Sequence, residues 1–255
     1  AARWYSAPWR SLTTYDNTGF QYGTYLFAAS VRQSLDDSSW FQDLWDQIEG
    51  RANYDLMEEI DELLAERNTS VEEEFGLFLE RGATGDFDFN PWMQLEDGFI
   101  AVELSADHDE DDLPLSETIN SSADAERPEY RGANYVWIDG QGVDDDMGLI
   151  VRFDGSGIRS GTELTWEVRL VAVEDEEPEL TWDMVLEPIE DSEGELSSWQ
   201  GSVLLNDFGE DFDGVYLVAS PTTRFGDSGA TWSYSAELTY SRADGSFMEV
   251  PDDGL

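Results

Sequence analysis

The only histidine of the chain, His108, lies in the segment SADHDEDDLPL, residues 105–115, where carboxylates surround it. A zinc site needs three or four histidine, cysteine or carboxylate ligands that converge on one ion. The chain has no cysteine and no HExxH motif, so zinc here would depend on one imidazole and several carboxylates. The sequence therefore favours His108 as a solvated loop residue, and it predicts zinc only if a catalytic part lies upstream.

Calcium takes oxygen ligands alone, and acidic turns between predicted strands offer them. Two clusters, VDDDMG and DFGEDFDG, are the candidate calcium sites. Their candidate ligands are Asp144, Asp145 and Asp146 in the first cluster, and Asp207, Asp211 and Asp213 in the second. Because 58 of the 255 residues are acidic, such clusters also arise by chance. An acidic surface without a bound ion is the alternative.

The segment FGDSGATW contains Ser228 within a GDSG stretch that resembles the nucleophile motif of chymotrypsin-like serine proteases. His108 precedes it, in the order that those enzymes have. However, His108 lies in an acidic run, and the first third of the chain has a helical pattern where that fold is a β-barrel. We interpret the stretch as a turn in which Gly226 and Gly229 serve the backbone geometry.

The charge of the chain predicts adaptation to concentrated salt. All 13 basic residues are arginine, and the formal net charge is −45. Self-repulsion of this size opposes folding in dilute buffer, whereas salt screens it. The 10 Trp, 10 Tyr and 13 Phe argue against a disordered chain. Nucleic-acid binding is excluded because no segment forms a basic patch, and no apolar run is long enough to span a membrane.

Two regions of different periodicity must position any site. Residues 18–81 have helical spacing in four segments, and Ser70 with Glu73 forms a capping box. The apolar positions are Tyr22, Tyr25, Leu26 and Ala29, then Trp40, Phe41, Leu44, Trp45 and Ile48, then Leu56, Ile60, Leu63 and Leu64, then Val71, Phe75, Phe78 and Leu79. We expect four aromatic side chains among them to lie in a core, namely Tyr22, Phe41, Trp45 and Phe75.

After residue 95 eight segments predict strands, and several of them alternate apolar and polar residues. They are GFIAVELSA, NYVWID, MGLIVRFDG, TELTWEVRLVAV, LTWDMVLEP, SWQGSVLLN, GVYLVASP and TWSYSAELTYS. The predicted class is α+β, with a small N-terminal helical unit followed by an antiparallel β-sandwich. Its predicted parts are the helical unit at 1–95, an acidic loop or linker at 96–129, the sandwich at 130–246 and an acidic tail at 247–255.

Tryptophans in the predicted strands have two interpretations. Trp166, Trp182, Trp199 and Trp232 would form an aromatic platform for a polysaccharide if they were exposed. Alternation within the strands instead favours their burial in the sandwich core.

The stretches WYSAPWRSLTTY, YGTYLF and TSVEEEF follow one another within the first 95 residues, with an acidic helix before the third. This order resembles the region downstream of the zinc site in exported bacterial gluzincin-type metalloproteases. The resemblance implies an extracellular or cell-surface location and a β-sandwich after the helical lobe. The HExxH helix of that family should lie N-terminal to this region, and the chain begins at Ala1 without it, so no catalytic residue is carried over.

We therefore predict a non-catalytic C-terminal part of a secreted, salt-adapted, metalloprotease-like protein. The alternative is a stand-alone extracellular or cell-surface module that binds a glycan or self-associates. The implied partners are an upstream protease domain, an extracellular polymer or further copies of the chain. A third hypothesis is an independent hydrolase that uses Ser228 or a pair of carboxylates.

Overall fold

The computed structural model describes residues 10–12, 23–49, 56–87, 102–104, 116–120, 127–140, 143, 147–159, 162–174, 177–206, 208–223 and 231–242. The chain divides into two compact units, residues 1–6 with 12–99 and residues 7–11 with 100–255. Helices form the first unit, and two β-sheets form most of the second. The predicted α+β class, with a helical unit followed by a β-sandwich, is confirmed.

Four described helices follow the four segments of predicted helical periodicity. They are α1 Gly23–Leu35, α2 Trp40–Ile48, α3 Leu56–Ala65 and α4 Val71–Thr84. The predicted capping box starts α4, where the Ser70 hydroxyl accepts a hydrogen bond from the Glu73 N–H at 3.2 Å. Gly85 ends the same helix at φ 76°, a left-handed conformation in which glycine has no steric penalty.

The core of the helical unit is aromatic. The Phe27 ring lies 5.6 Å from the Phe78 ring and 6.2 Å from the Phe75 ring, both in edge-on geometry. Trp40 is fully buried and donates its indole N–H to the Ala28 carbonyl at 3.0 Å. Burial of these rings, with few polar groups among them, stabilises the unit by the hydrophobic effect.

Trp45 corrects one expectation about this core. Of the aromatic residues predicted to be buried, Phe75 is buried, Phe41 is half-buried and Tyr22 lies outside the described residues. Trp45 is 62% exposed. On the short helix α2, Trp40 and Leu44 stand one turn apart and face the core, and the next position points about 100° away from them.

Two five-stranded sheets form the sandwich. The first sheet has the order β1-β3-β11-β7-β8 and the second has the order β2-β12-β4-β10-β9. The strands are β1 Val102–Leu104, β2 Ser116–Asn120, β3 Asn134–Asp139, β4 Met147–Ser156, β5 Ile158–Arg159, β6 Thr162–Glu163, β7 Trp166–Glu174, β8 Glu177–Asp183, β9 Glu187–Glu190, β10 Leu196–Leu205, β11 Gly214–Pro221 and β12 Tyr234–Arg242. Strands β5 and β6 form a separate ribbon, and a short helix, α5 Phe208–Asp211, precedes β11. Neighbouring strands are antiparallel except for β1 and β3.

The strands differ from the sequence pattern in two places. The predicted acidic linker at 96–129 contains the unpredicted strand β2, which pairs with β12, as well as β1, which lies within the predicted strand GFIAVELSA and pairs with β3. The segment LTWDMVLEP, predicted as one strand, contains the end of β8 in the first sheet and the start of β9 in the second. Met184 is buried where the chain crosses between the sheets. The alternation of apolar residues continues through this crossing, so periodicity alone gives no sign of it.

Both sheets contribute inward side chains to one core. Phe153 lies at its aromatic centre, with ring centroids 5.4 Å from both Trp166 and Tyr234. Trp166 and Trp232 are buried, and Trp182 and Trp199 are half-buried against the same core. The prediction of core tryptophans is confirmed, and none of these four forms an exposed platform.

Tyr234 makes the free energy of unfolding depend on pH in the alkaline range. Burial raises its pKa from 10.0 to about 12, while a 3.2 Å hydrogen bond from the Asn134 amide acts in the opposite direction. Because the folded pKa lies above the ordinary one, the neutral phenol contributes stability that is complete below pH 10 and is lost as the pH rises through 12. Between those limits we expect the wild type to lose about 2 kcal/mol more than Tyr234→Phe. Urea unfolding across this range measures the difference, and parallel profiles would contradict it.

The edge strands β8 and β9 each contain a proline. In the described part of the chain, β8 pairs only with β7, and β9 pairs only with β10. Each contains a proline, Pro178 and Pro188 respectively, and is rich in glutamate. Proline has no N–H to donate to a ladder, so edge strands are where sheets tolerate it.

Candidate functional site

The predicted calcium ligands fall mostly outside the described residues. This applies to Asp144, Asp145, Asp146 and Asp207, and also to His108 and Ser228. Asp211 and Asp213 are described and exposed. The Gly140 N–H bonds to the Asp213 carbonyl at 2.8 Å, so the β3–β4 turn begins beside the β10–β11 turn that carries the second cluster.

Among the residues that the structure describes, no group of three or more histidine, cysteine or acidic side chains is arranged to hold a metal ion. The calcium ligands and the zinc dependence stay predictions. The two turns meet because β3 and β11 are neighbours in the first sheet. This adjacency follows from the topology and has no signal in the sequence.

The outer faces of the two sheets differ in burial. On the first sheet the outward residues Tyr135, Val171, Val218 and Ser220 are almost completely buried. On the second sheet the outward residues include exposed polar side chains such as Arg152 and Gln200. Among the described residues, the second sheet presents polar groups across its outer face, whereas on the first sheet the exposed Asp183 stands beside the less exposed Glu167 and Arg169.

A charged cluster on the first sheet is structural. The Arg169 guanidinium lies 3.1 Å from both Glu167 and Asp183, on the neighbouring positions of β7 and β8. Burial raises the pKa of the Glu167 carboxyl, and Arg169 and Arg131 act in the opposite direction. The opposite charges compensate one another, as buried charges require.

The candidate site is a groove of about 690 Å³ on the outer face of the second sheet. Eight polar side chains from all five strands line it. We call this surface the polar groove, and its polar residues are Thr118, Arg152, Asp154, Glu187, Gln200, Ser202, Ser235 and Glu237. Three carboxylates face one guanidinium, so the groove is net negative.

Strand register arranges these side chains in two rows across the sheet. One row runs Thr118, Glu237, Arg152, Ser202 over β2, β12, β4 and β10. The other row runs Ser235, Asp154, Gln200, Glu187 over β12, β4, β10 and β9. Neighbouring strands lie about 4.8 Å apart and successive outward residues about 7 Å apart. Each row therefore extends roughly 14 Å across four strands.

A hydrogen bond in one row and an ion pair in the other orient the central groups. The Gln200 amide donates to the Asp154 carboxylate at 2.6 Å, which leaves the amide oxygen and one carboxylate oxygen for a ligand. The Arg152 guanidinium lies 3.5 Å from the Glu237 carboxylate, and both side chains are about half exposed. Exposed pairs of this kind contribute little to stability, so the folding of the sheet does not explain them.

Apolar side chains form one wall of the groove. Val185, which is 80% exposed, stands on the segment that passes from β8 to β9, and Ile189 stands on β9 itself. Gly201 of β10 brings this segment close, because a Cβ there would lie 2.5 Å from the Val185 carbonyl oxygen and 2.8 Å from Leu186. The wall therefore depends on a glycine in the neighbouring strand.

Gly201→Ala is expected to displace this wall. The added methyl group meets a backbone oxygen that no side-chain rotation can move, and overpacking of this kind costs about 1–3 kcal/mol. Urea unfolding of the variant measures the loss. Ser197→Ala is the matched control, since it changes an exposed side chain of the same strand. Equal stability of the two variants would contradict the close packing at Gly201.

Sequence reasoning missed the polar groove. Alternation within MGLIVRFDG predicts that Arg152 and Asp154 share a face, and this holds in β4. The partners of these residues come from strands far away in sequence, and only the pairing register brings them together. Hydrogen-bonding side chains at alternate positions of several strands are the available signal, and a halophilic coat produces the same pattern.

The groove can bind by hydrogen bonding, with carboxylate acceptors, an amide, hydroxyl groups and one guanidinium. No described histidine lies beside its serines, and His108, the single histidine of the sequence, is outside the described residues. Among the helices that the structure describes, none is long and apolar enough to cross a membrane. Comparisons of the chain with protein-family models, curated proteins and solved structures found no match.

Proposed function

We propose that this chain is a non-catalytic binding module of an exported, salt-adapted protein, and that the polar groove is its ligand surface. The observation that carries the proposal is the grouping of eight polar side chains in two cross-strand rows on the accessible face of the sandwich. The ligand class that fits rows of hydrogen-bonding side chains running across several strands is an extended extracellular polymer.

Polymer retention tests this function. The wild type and an Arg152→Ala variant are passed over beads that carry polysaccharides of neutral, cationic and anionic type in high salt. We expect retention of the wild type on at least one polymer, a clear loss for the variant, and no release of shorter fragments. Retention that is independent of Arg152, or cleavage of the polymer, would contradict a non-catalytic groove.

A metalloprotease-like context is the second candidate. The order of a helical unit and a β-sandwich supports it, because the resemblance of residues 1–95 implies that order. On this proposal the module belongs to a longer or processed zinc peptidase. The intact mass of the natural protein and its zinc content test this. A mass above 28.8 kDa with about one zinc per chain supports the proposal. A mass equal to that of these 255 residues without zinc contradicts it for the mature protein.

Salt adaptation predicts a steep rise of the unfolding temperature with sodium chloride. The net charge of −45 repels itself over about 10 Å at 0.1 M salt but over only about 3 Å at 1 M. Most of the rise in unfolding temperature should therefore come below about 1 M salt. Each kcal/mol added to the free energy of unfolding should raise that temperature by about 2–4 °C. Thermal unfolding at several concentrations measures it. Sucrose is the control, because it favours burial without screening charge. A flat response to salt would overturn the adaptation.

A further inference from the structure

We propose that the polar groove binds a neutral, hydroxyl-rich polymer, a glycan chain without charged groups. This inference rests on the function proposed above and names the ligand class of the same surface. It follows from the side chains in the groove, from their charge and from their spacing.

The hydrogen-bonding groups match hydroxyl groups. A sugar hydroxyl both donates and accepts, so it needs partners of both kinds. The Asp154 carboxylate offers acceptors only, Arg152 offers donors only, and Gln200 and the serine hydroxyls offer both. The 2.6 Å hydrogen bond between Gln200 and Asp154 holds the second carboxylate oxygen of Asp154 and the amide oxygen of Gln200 side by side. Hydrogen bonds to charged groups such as the Asp154 carboxylate are stronger than those between neutral groups.

The charge of the groove opposes anionic ligands. Three carboxylates stand in it, and the whole chain carries a net charge of −45. In dilute salt both repel a polyanion; in concentrated salt, where this repulsion is screened as well, an anion is disfavoured because the groove offers it few partners. Arg152 is the one guanidinium among the described residues of the groove, and it is already within 3.5 Å of Glu237, with which it shares a row. Within the part of the chain that the structure describes, no second arginine lines the groove to bind a phosphate or carboxylate from both sides.

A cationic polymer is also disfavoured, because concentrated salt weakens its attraction to the carboxylates of the groove. At about 1 M salt the screening length is roughly 3 Å, so attraction between exposed charges contributes little. Arg152 moreover lies in the middle of the row that begins at Thr118, where it would repel an amine. Hydrogen bonds act at contact distance and survive in salt, so a neutral polyol retains most of its binding free energy.

The dimensions suit an extended chain that lies on the surface. Each row extends roughly 14 Å, and the two rows lie about 7 Å apart. A chain a few sugar units long covers such an area. Val185 and Ile189 add an apolar wall against which the C–H face of a sugar ring packs. Sugars have apolar as well as polar faces, so the wall contacts the apolar face while the two rows bind the hydroxyl groups.

Gln200→Ala, Asp154→Asn and the matched control Gln42→Ala test the inference. Gln42 donates to Asp46 at 2.6 Å on the exposed surface of α2, the same interaction as that of Gln200 with Asp154 but outside the groove. Retention is measured at about 2 M sodium chloride, where charge is screened. The beads carry neutral glucans, mannans, xylans and galactans, cationic chitosan or anionic polygalacturonate. Circular dichroism verifies that each variant is folded.

We expect retention on at least one neutral polysaccharide, with about tenfold or greater weakening for each groove variant and no change for Gln42→Ala. If only chitosan or only polygalacturonate is retained, and the groove variants abolish this, the neutral class is wrong while the binding function stands. If the groove variants have no effect on any polymer, both proposals fall.

Discussion

Replacing Phe153 with alanine is expected to lower the free energy of unfolding by about 3–5 kcal/mol. The ring is buried between Trp166 and Tyr234, with both centroids 5.4 Å away. Truncation removes the apolar area of the ring and leaves a cavity that the rigid neighbours fill only in part. The loss is read from urea unfolding at a fixed high salt concentration.

Leu204→Ala provides the control for this experiment. Leu204 lies on β10, next to β4 in the same sheet, and is 51% exposed. We expect this truncation to cost less than about 1 kcal/mol, because half of the side chain is in water already. Losses of similar size for the two variants would show that Phe153 is not the centre of the core.

Two tryptophans of α2 give the second large prediction. Trp40→Ala is expected to cost about 3–5 kcal/mol, because it removes a fully buried indole together with the hydrogen bond that this indole donates to the Ala28 carbonyl. Trp45→Ala, five residues later, removes a side chain that is 62% exposed and should cost less than about 1 kcal/mol.

The comparison of these two variants is internally matched, since both make the same chemical change in one nine-residue helix. Tryptophan fluorescence adds a second measurement. We expect Trp45→Ala to remove emission typical of an indole in water and Trp40→Ala to remove emission typical of a buried indole. A larger loss of stability for Trp45→Ala than for Trp40→Ala would reverse the assignment of the buried face of α2.

The helices were predictable because their signals are local. The Ser70 and Glu73 pair and the left-handed Gly85 act within a few residues, and so does the apolar spacing of α4. The same local reasoning fails for Trp45, because the sequence spacing does not give the width of the buried stripe. Only the helices that pack against α2 decide that width.

The strands were predictable as elements but less so as sheets. Alternation identifies β7 and β12, since every second residue enters the core. It does not reveal that β8 and β9 belong to different sheets, because the chain crosses between them without breaking the pattern. The parallel pairing of β1 with β3 is likewise a long-range choice.

The polar groove was not predictable for the same reason. Arg152 and Glu237 are 85 positions apart in sequence, and Asp154 and Gln200 are 46 apart. Each is one acidic or polar residue among many on an acidic chain. Their grouping depends on a register that forms only when the second sheet assembles.

The prolines in β8 and β9 have a consequence for the protein at high concentration. Glutamates on an edge strand discourage a second chain from adding to the sheet, but salt weakens that protection as the screening length shrinks. Pro178 and Pro188 remain effective, because a missing N–H group is not screened by ions. In brine the resistance of this side of the sandwich to aggregation therefore depends on two imino acids more than on its negative charge.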